Sequence, residues 1–278
     1  MAYKNLLVHI DDSKACAGRL DVAIGLAQAH SAHLTGLYIA ADPVLPGGVS
    51  AEMPVRFLDT LSAQVSERSA AAEAAFAAAV ERAGLTADCR TTRCPGGRAA
   101  EVIALNARYT DLVILGQPEP EARGEVNAQV PEDVVLSAGR PALVVPYIGA
   151  GKRLGVRVMV AWDGGREAAR AVGDALPLLA RAESVAVLVI NPSQGGHGEH
   201  PGADIALHLA RHGITVEAQH LEARDLSVGD ALLSRLADQD IDLLVMGAYG
   251  HSRLRELVLG GVTRKIFQQM TVPVLMSH

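Results

Sequence analysis

The sequence predicts an α/β protein with two tandem domains, each built on a doubly wound, five-stranded parallel sheet. Short apolar runs alternate with helical patterns along the chain, as in parallel sheets whose strands are connected through helices. The order of these segments occurs twice, which indicates an internal repeat. Hydrophobic residues make up 49% of the 278 residues and aromatic residues only 3%, so the cores consist mainly of Val, Leu, Ile and Ala, which suit buried parallel strands.

Each half opens with a strand that ends in aspartate. The mostly apolar run 6–10 is followed by Asp11, and the run 158–162 is followed by Asp163. Continuous apolar runs closed by turn residues are typical of parallel strands covered on both faces. Helical patterns and second strands follow at 14–29 and 33–39 in the first half, and at 166–181 and 184–190 in the second.

The middle parts of the two halves differ in length. The first half has an alanine-rich segment at 51–83, and alanine is the best helix former, so we expect one long helix there. The second half has a shorter helical segment at 203–211. Third strands and third helices are predicted at 87–92 and 98–108 in the first half, and at 215–219 and 227–238 in the second.

The end of each half gives the closest internal match. The run from Asp111 to Gly116 corresponds to that from Asp242 to Gly247, and a last strand led by proline follows each. The interval from that aspartate to the proline is 30 residues in the first half and 31 in the second. We therefore assign the domains to residues 1–148 and 154–278.

The last strand of each domain, at 142–145 and 274–277, is expected to be a sheet edge. Exposed edges invite pairing with another strand. We expect the two domains to pair with each other within one chain, with a homodimer as a further form of self-association.

Composition and charge exclude several classes of function. The net charge is -6 and no basic stripe is present, so nucleic acid is not an expected partner. No apolar run approaches the ~20 residues of a membrane span, and the start lacks the features of a signal peptide, so we expect a cytoplasmic protein without a membrane partner. The odd set of Cys16, Cys89 and Cys94 argues against a disulfide framework, and no ligand spacing indicates a metal site.

The candidate chemistry lies in the loop after the fourth strand of the second half. Gly247 and Gly250 leave this strand, and two further glycines at 260–261 precede a helix expected to begin near Val262. Glycine lets backbone N–H groups approach a phosphate, and a helix N-terminus adds a favourable dipole. Ligands of doubly wound sheets bind at this carboxyl edge, where Asp163 also lies. Side chains that could add hydrogen bonds or positive charge are His251, Ser252, Arg253, Thr263 and Arg264.

This pattern resembles the ATP-binding loop of the universal stress protein family, in which Gly, two residues, Gly, nine residues and Gly precede Ser or Thr. Gly247, Gly250 and Gly260 match the spacing, whereas Gly261 stands where the family has a hydroxyl residue. The resemblance covers both halves and is closest to the tandem-domain members. It implies a Rossmann-like, adenine nucleotide α-hydrolase-like fold for each domain.

The resemblance also implies contacts to adenosine. In that family an aspartate after the first strand contacts adenine or ribose, and the backbone at the end of the second strand borders the base. Carried over, these positions are Asp163 and Val189. An aspartate after a strand is also a common turn and helix-cap residue, and the loop also fits a plain glycine-rich turn. The complete predicted nucleotide-binding set is Asp163, Val189, Met246, Gly247, Ala248, Gly250, His251, Ser252, Arg253, Gly260, Gly261, Val262 and Thr263.

The corresponding loop of the first half has lost its glycines. Glu119 stands in place of the second glycine and Gln129 in place of the third. The carboxylates of this stretch would repel phosphate, and its prolines remove N–H donors. Asp11 or Asp12 remains, but we expect the first domain to be an empty copy that serves packing, dimerisation or a different ligand.

The function that these observations predict is a stress-response regulatory protein that binds ATP or another adenine nucleotide in its C-terminal domain, with Mg²⁺ as an optional companion ion. No catalytic residue is assigned, because the loop lacks a Walker Gly-Lys-Ser/Thr ending and no compact Ser/His/Asp or paired-carboxylate arrangement is apparent. Weak ATPase activity is compatible with this prediction. Two alternatives stay open: a slow nucleotide-hydrolysing or adenylating enzyme, and a nucleotide-free scaffold or dimerisation protein.

Overall fold

The computed structural model describes residues 2–41, 55–118, 129–151, 153–192, 200, 202–249 and 261–278. These residues form two compact units, an N-terminal unit of Tyr3–Arg140 and a C-terminal unit that contains Pro141–His278. Each unit is a mainly parallel sheet with helices between its strands, so the predicted α/β class is confirmed.

The N-terminal unit has a parallel sheet in which the chain order reverses between the first and fourth strands. Its elements are β1 (Asn5–Ile10), α1 (Cys16–His30), β2 (His33–Ala41), α2 (Val55–Arg82), β3 (Ala87–Cys94), α3 (Ala99–Ala107), β4 (Leu112–Gly116) and α4 (Val130–Ser137). The strand order is β3-β2-β1-β4. Its interior strands are buried, as their Val, Leu and Ile content predicts. The reversal between β1 and β4 is the switch point beside which ligands bind in such sheets.

The C-terminal unit repeats this arrangement and adds two strands, one parallel and one antiparallel. Its elements are β5 (Ala142–Val145), β6 (Arg157–Ala161), α5 (Arg166–Leu179), β7 (Ser184–Ile190), α6 (Ala203–Arg211), β8 (Val216–Leu221), α7 (Val228–Asp238), β9 (Leu243–Gly247), α8 (Val262–Gln269) and β10 (Val274–Ser277). The strand order is β5-β10-β9-β6-β7-β8. β5 runs antiparallel to β10, with Leu143 opposite Leu275, so the two terminal strands pair as the sequence predicts.

Each fourth strand is preceded by an aspartate that hydrogen-bonds the start of the neighbouring first strand, at the amino edge of the sheet. Asp111 Oδ2 accepts hydrogen bonds from the backbone N–H groups of Lys4 (2.6 Å) and Asn5 (3.0 Å). Asp242 Oδ1 accepts from the N–H groups of Gly155 (2.8 Å) and Val156 (3.0 Å). Both carboxylates therefore satisfy the start of the neighbouring first strand, at the amino edge, and the repeated aspartate is a structural feature.

Candidate functional site

The carboxyl edge of the C-terminal sheet brings together two of the predicted residues. β6 and β9 are neighbours, with Ala161 opposite Met246, so Asp163 and Gly247 leave adjacent strands. Asp163 is exposed, and its Oδ1 accepts a hydrogen bond of 2.8 Å from the N–H of Gly165, the N-cap residue of α5. The carboxylate thus forms a turn that starts α5, and it stays accessible to solvent.

Gly247 lies where the start of α5 packs against the end of β9. A Cβ atom at this position would be 2.5 Å from the backbone nitrogen of Ala168 and 2.7 Å from the carbonyl carbon of Glu167. Real Cβ atoms do not approach backbone atoms this closely, so only glycine fits without a shift of the helix. The first glycine of the motif is therefore required for packing, independently of any ligand.

The two ends of the glycine-patterned loop are held together by Thr263. The Tyr249 N–H donates to Thr263 Oγ1 across 3.4 Å, and the Thr263 side chain is only 3% exposed. Tyr249 has a φ of 57°, a left-handed conformation that is uncommon for a residue other than glycine. Thr263, which the sequence offered as a phosphate ligand, accepts this bond from inside the fold, where it closes the loop.

The first turn of α8 is a candidate anion site. Gly261 is the N-cap residue and has no side chain to bond the N–H groups that follow. The first four N–H groups of a helix lack partners within the helix, and the helix dipole places positive potential there. Val262 begins this helix, as the sequence predicts. The amino end of α8 therefore offers donors to an anion.

Three members of the predicted set have side chains that belong to the core. Val189 and Ala248 are completely buried and Met246 is 5% exposed, so they could border a ligand only through their backbone. His278 is not among the predicted residues but lies next to one of them, with its Nδ1 2.9 Å from the Ala248 carbonyl oxygen. The remaining predicted residues, Gly250, His251, Ser252, Arg253 and Gly260, lie outside the described residues.

The matching edge of the N-terminal unit is filled by a buried ion pair. Arg19 on α1 is 3% exposed, and its Nη2 lies 2.8 Å from Asp11 Oδ2. A Cβ atom on Gly116, the counterpart of Gly247, would be 2.0 Å from Arg19 Nη1. Ser13 adds hydrogen bonds to Asp11 Oδ1 from its N–H (3.0 Å) and its hydroxyl (2.5 Å). An arginine of the chain itself thus lies against the glycine and the aspartate of this copy.

Burial and the neighbouring charges shift the pKa values of His9 and Asp11 in this cluster. Burial and then the Arg19 charge lower the pKa of His9 from 6.5 to about 4, against the opposing effect of Asp11. Burial alone would raise the pKa of Asp11, but Arg19, His9 and Ser13 together lower it from 3.8 to about 2. At neutral pH the cluster therefore holds a neutral imidazole beside an Asp11–Arg19 ion pair.

We expect the N-terminal unit to lose stability as the pH falls from about 6.5 to about 4. The folded pKa of His9 lies below its unfolded value, so protons bind the unfolded chain more tightly in this window. At ~1.4 kcal/mol per pKa unit, the loss attributable to His9 approaches ~3 kcal/mol. Hydrogen exchange of peptides from β1, corrected for the intrinsic effect of pH, measures it.

The control for this pH dependence is the β6 peptide, in which Ala161 is the counterpart of His9. The stability of a His9→Ala variant should no longer fall between pH 6.5 and 4. Its stability should still fall at lower pH, as Asp11 becomes protonated near 2. An equal fall of stability with pH in the parent protein and in the variant would contradict the assignment to His9.

Three other features of the described part of the chain bear on function: clusters of metal-ligating side chains, cysteines and apolar helices. There, no group of three His, Cys, Asp or Glu residues could hold a metal ion. Cys16, Cys89 and Cys94 are free thiols. No helix in the described ranges is long and apolar enough to cross a bilayer.

Comparison with known proteins places the chain in a family. The model of the universal stress protein family matches residues 2–146 and again 156–278. A universal stress protein of Synechocystis sp. is 31% identical over 174 residues, which are 59% of this chain; the match spans 57% of that relative's length.

Solved structures agree with the fold. A universal stress protein from Archaeoglobus fulgidus superposes with a TM-score of 0.75 over 98% of this chain and 95% of its own, at 17% identity. A protein from Pseudomonas aeruginosa described as a universal stress protein gives 0.60 over 99% of this chain and 93% of its own, at 14% identity. Because the family model covers nearly the whole chain in two consecutive copies, this protein belongs to the universal stress protein family.

Proposed function

We propose that the C-terminal unit binds one adenine nucleotide, ATP in the first instance, as a regulatory ligand. The observation that carries this proposal is the bond between Tyr249 N–H and Thr263 Oγ1. This contact brings the end of β9 to the amino end of α8, so both ends of the 250–260 segment lie beside the helix N–H groups. A glycine-patterned segment anchored in this way is suited to enclose phosphates.

Asp163 supplies the second element of the proposed site. Its carboxylate is exposed on the strand next to β9, and carboxylates accept hydrogen bonds from ribose hydroxyls in many nucleotide-binding sheets. Since Oδ1 already accepts the Gly165 N–H, the contact to ribose would fall to Oδ2. The predicted turn role and the predicted ligand role of Asp163 are thus compatible in one geometry.

The proposed role of the nucleotide is regulation without strong catalysis. Glu167, the buried carboxylate nearest Gly247, is paired with Arg166 at 2.7 Å. The imidazole of His278 is engaged with the Ala248 carbonyl. Neither group is paired with a nucleophile among the described residues, so we assign these residues to structure. A turnover assay with ATP would separate this proposal from the enzyme alternative, which requires hydrolysis or adenylation well above background.

The stoichiometry and the key residues can be tested by calorimetry with ATP. We expect one site per chain. Gly250→Val should weaken binding by a few orders of magnitude, since two or three charge-assisted N–H bonds of ~1.5–3 kcal/mol each are lost. Asp163→Ala should weaken it by roughly tenfold to a hundredfold, through the loss of one hydrogen-bonding group.

Matched variants separate ligand contact from folding. Asp163→Asn retains an oxygen for the Gly165 N–H, so it should preserve the start of α5 and bind better than Asp163→Ala. Asp11→Ala, the same change in the N-terminal unit, should leave ATP affinity unchanged. Two equivalent sites would reject the assignment to the C-terminal unit alone, and full affinity in a folded Gly250→Val protein would show that the loop does not hold the phosphates. Absence of ATP binding by the parent protein would favour a nucleotide-free scaffold.

A further inference from the structure

Two exposed histidines lie one helical turn apart at the end of α6. His208 lies in the last turn of the helix and His212 is its C-cap residue. Their ring centroids are 4.9 Å apart, with an interplanar angle of 65°. Residues four apart on a helix face the same side, so both imidazoles project into solvent from one patch of the C-terminal unit.

This spacing is that of two imidazoles on one metal ion. A zinc–nitrogen bond is ~2.0–2.1 Å long, which places each ring centre ~3 Å from the ion and two ring centres ~5 Å apart in a tetrahedral site. Histidines at i and i+4 of a helix are a known metal-ligating pattern. The observed 4.9 Å separation therefore matches the separation that one shared ion requires, once the rings rotate to direct a nitrogen of each at the ion.

We propose that His208 and His212 bind a divalent transition-metal ion of the Zn²⁺, Ni²⁺ or Cu²⁺ class. Imidazole nitrogen favours these ions over Mg²⁺ and Ca²⁺, which prefer oxygen ligands. The described residues offer no third His, Cys, Asp or Glu within reach, so water or an external ligand completes the coordination. A site with two protein ligands is open to exchange, and it binds accessible metal in a reversible manner. It is independent of the proposed nucleotide site.

A purely structural role for the pair predicts a different result. The two neutral rings would then make only an edge-to-face contact, worth ~0.5–1.5 kcal/mol, and a histidine in the last turn would interact with the helix dipole when protonated. Neither effect requires a metal. A metal-binding role instead requires both rings at once, because one imidazole alone gives a weak site.

The test is calorimetric titration of the untagged full-length chain with Zn²⁺ in the absence of nucleotide. We expect one ion to bind with an affinity that falls by about 100-fold in either His208→Ala or His212→Ala, since each removes the intramolecular advantage of the second ligand. Circular dichroism should show unchanged helix content, because both side chains are exposed.

Two variants serve as controls. His220→Ala removes an exposed histidine on β8, and Cys89→Ser removes an exposed thiol on β3; both should bind Zn²⁺ as the parent does. Electron paramagnetic resonance of the Cu²⁺ form should show two nitrogen ligands in the parent and one in each single variant. Parental affinity in His208→Ala or in His212→Ala, or a parent spectrum without coordinated nitrogen, would overturn the proposal.

Discussion

Arg19→Ala is expected to destabilise the N-terminal unit by about 3 kcal/mol. The Arg19 side chain is 4% exposed and the Asp11 side chain 24% exposed, so removal of Arg19 leaves a largely buried carboxylate without its counterion. Loss of one partner of a buried pair costs more than the pair contributes, because the remaining charge is poorly solvated. The deletion also leaves a space above Gly116, which the arginine side chain now fills.

Hydrogen exchange of peptides from β1 and β4 measures this loss, because the single tryptophan, Trp162, lies in the C-terminal unit. A double-mutant cycle with Asp11→Ala assigns the cause. If the ion pair is responsible, the double variant should lose less stability than the sum of the two single variants, by ~1 kcal/mol or more. Additive losses would show that Arg19 acts through packing alone.

The fold was largely predictable because strand burial and helix periodicity are local signals. Several elements begin and end at the predicted residues, among them β7 (Ser184–Ile190) and α6 (Ala203–Arg211). The role of Asp111 and Asp242 was not predictable in the same way, because their hydrogen bonds join segments about a hundred residues apart in sequence. Sequence repetition identified these aspartates, and only the fold shows that they lie at the amino edge.

The position of the candidate site could be predicted from the sequence, but the role of each side chain could be predicted less well. The sequence places Gly116 and Gly247 at equivalent points, but the atoms that approach them differ: an arginine side chain in one unit and the helix backbone in the other. Arg19 carried a signal, since it is a charged residue within a buried face of α1 that is apolar apart from His30 at the end of the helix. A buried charge requires a partner, and Asp11, the first-copy counterpart of Asp163, supplies it.

The two units therefore have different charged groups at the equivalent carboxyl edge of their sheets. Eight residues after Asp11 the chain has Arg19, and eight residues after Asp163 it has Ala171. The N-terminal aspartate is neutralised inside the protein, whereas the C-terminal one is exposed and has only the Gly165 N–H among its described hydrogen-bond partners. An internal cation in one copy and an exposed carboxylate in the other explain in physical terms why ligand binding is proposed for the C-terminal unit alone.

Gly247→Ala is expected to destabilise the C-terminal unit by about 3 kcal/mol, near the upper end of the usual cost of overpacking. The new Cβ would lie 2.5 Å from the Ala168 backbone nitrogen, so α5 or β9 must move. Neither can move alone, because α5 covers β9 and β9 is hydrogen-bonded to strands on both sides. Displacement of this junction also moves Asp163 relative to the loop, so ATP affinity should fall together with stability.

Urea unfolding followed by Trp162 fluorescence measures this effect, because Trp162 directly follows β6. Gly173→Ala is the matched control: it lies within α5, and a Cβ there meets no atom within 4 Å. Since alanine is favoured over glycine inside a helix by ~1 kcal/mol, this control should be neutral or stabilising. Equal stability of the Gly247→Ala and Gly173→Ala proteins would show that the β9–α5 junction tolerates a side chain, and the first glycine of the motif would then require a different explanation.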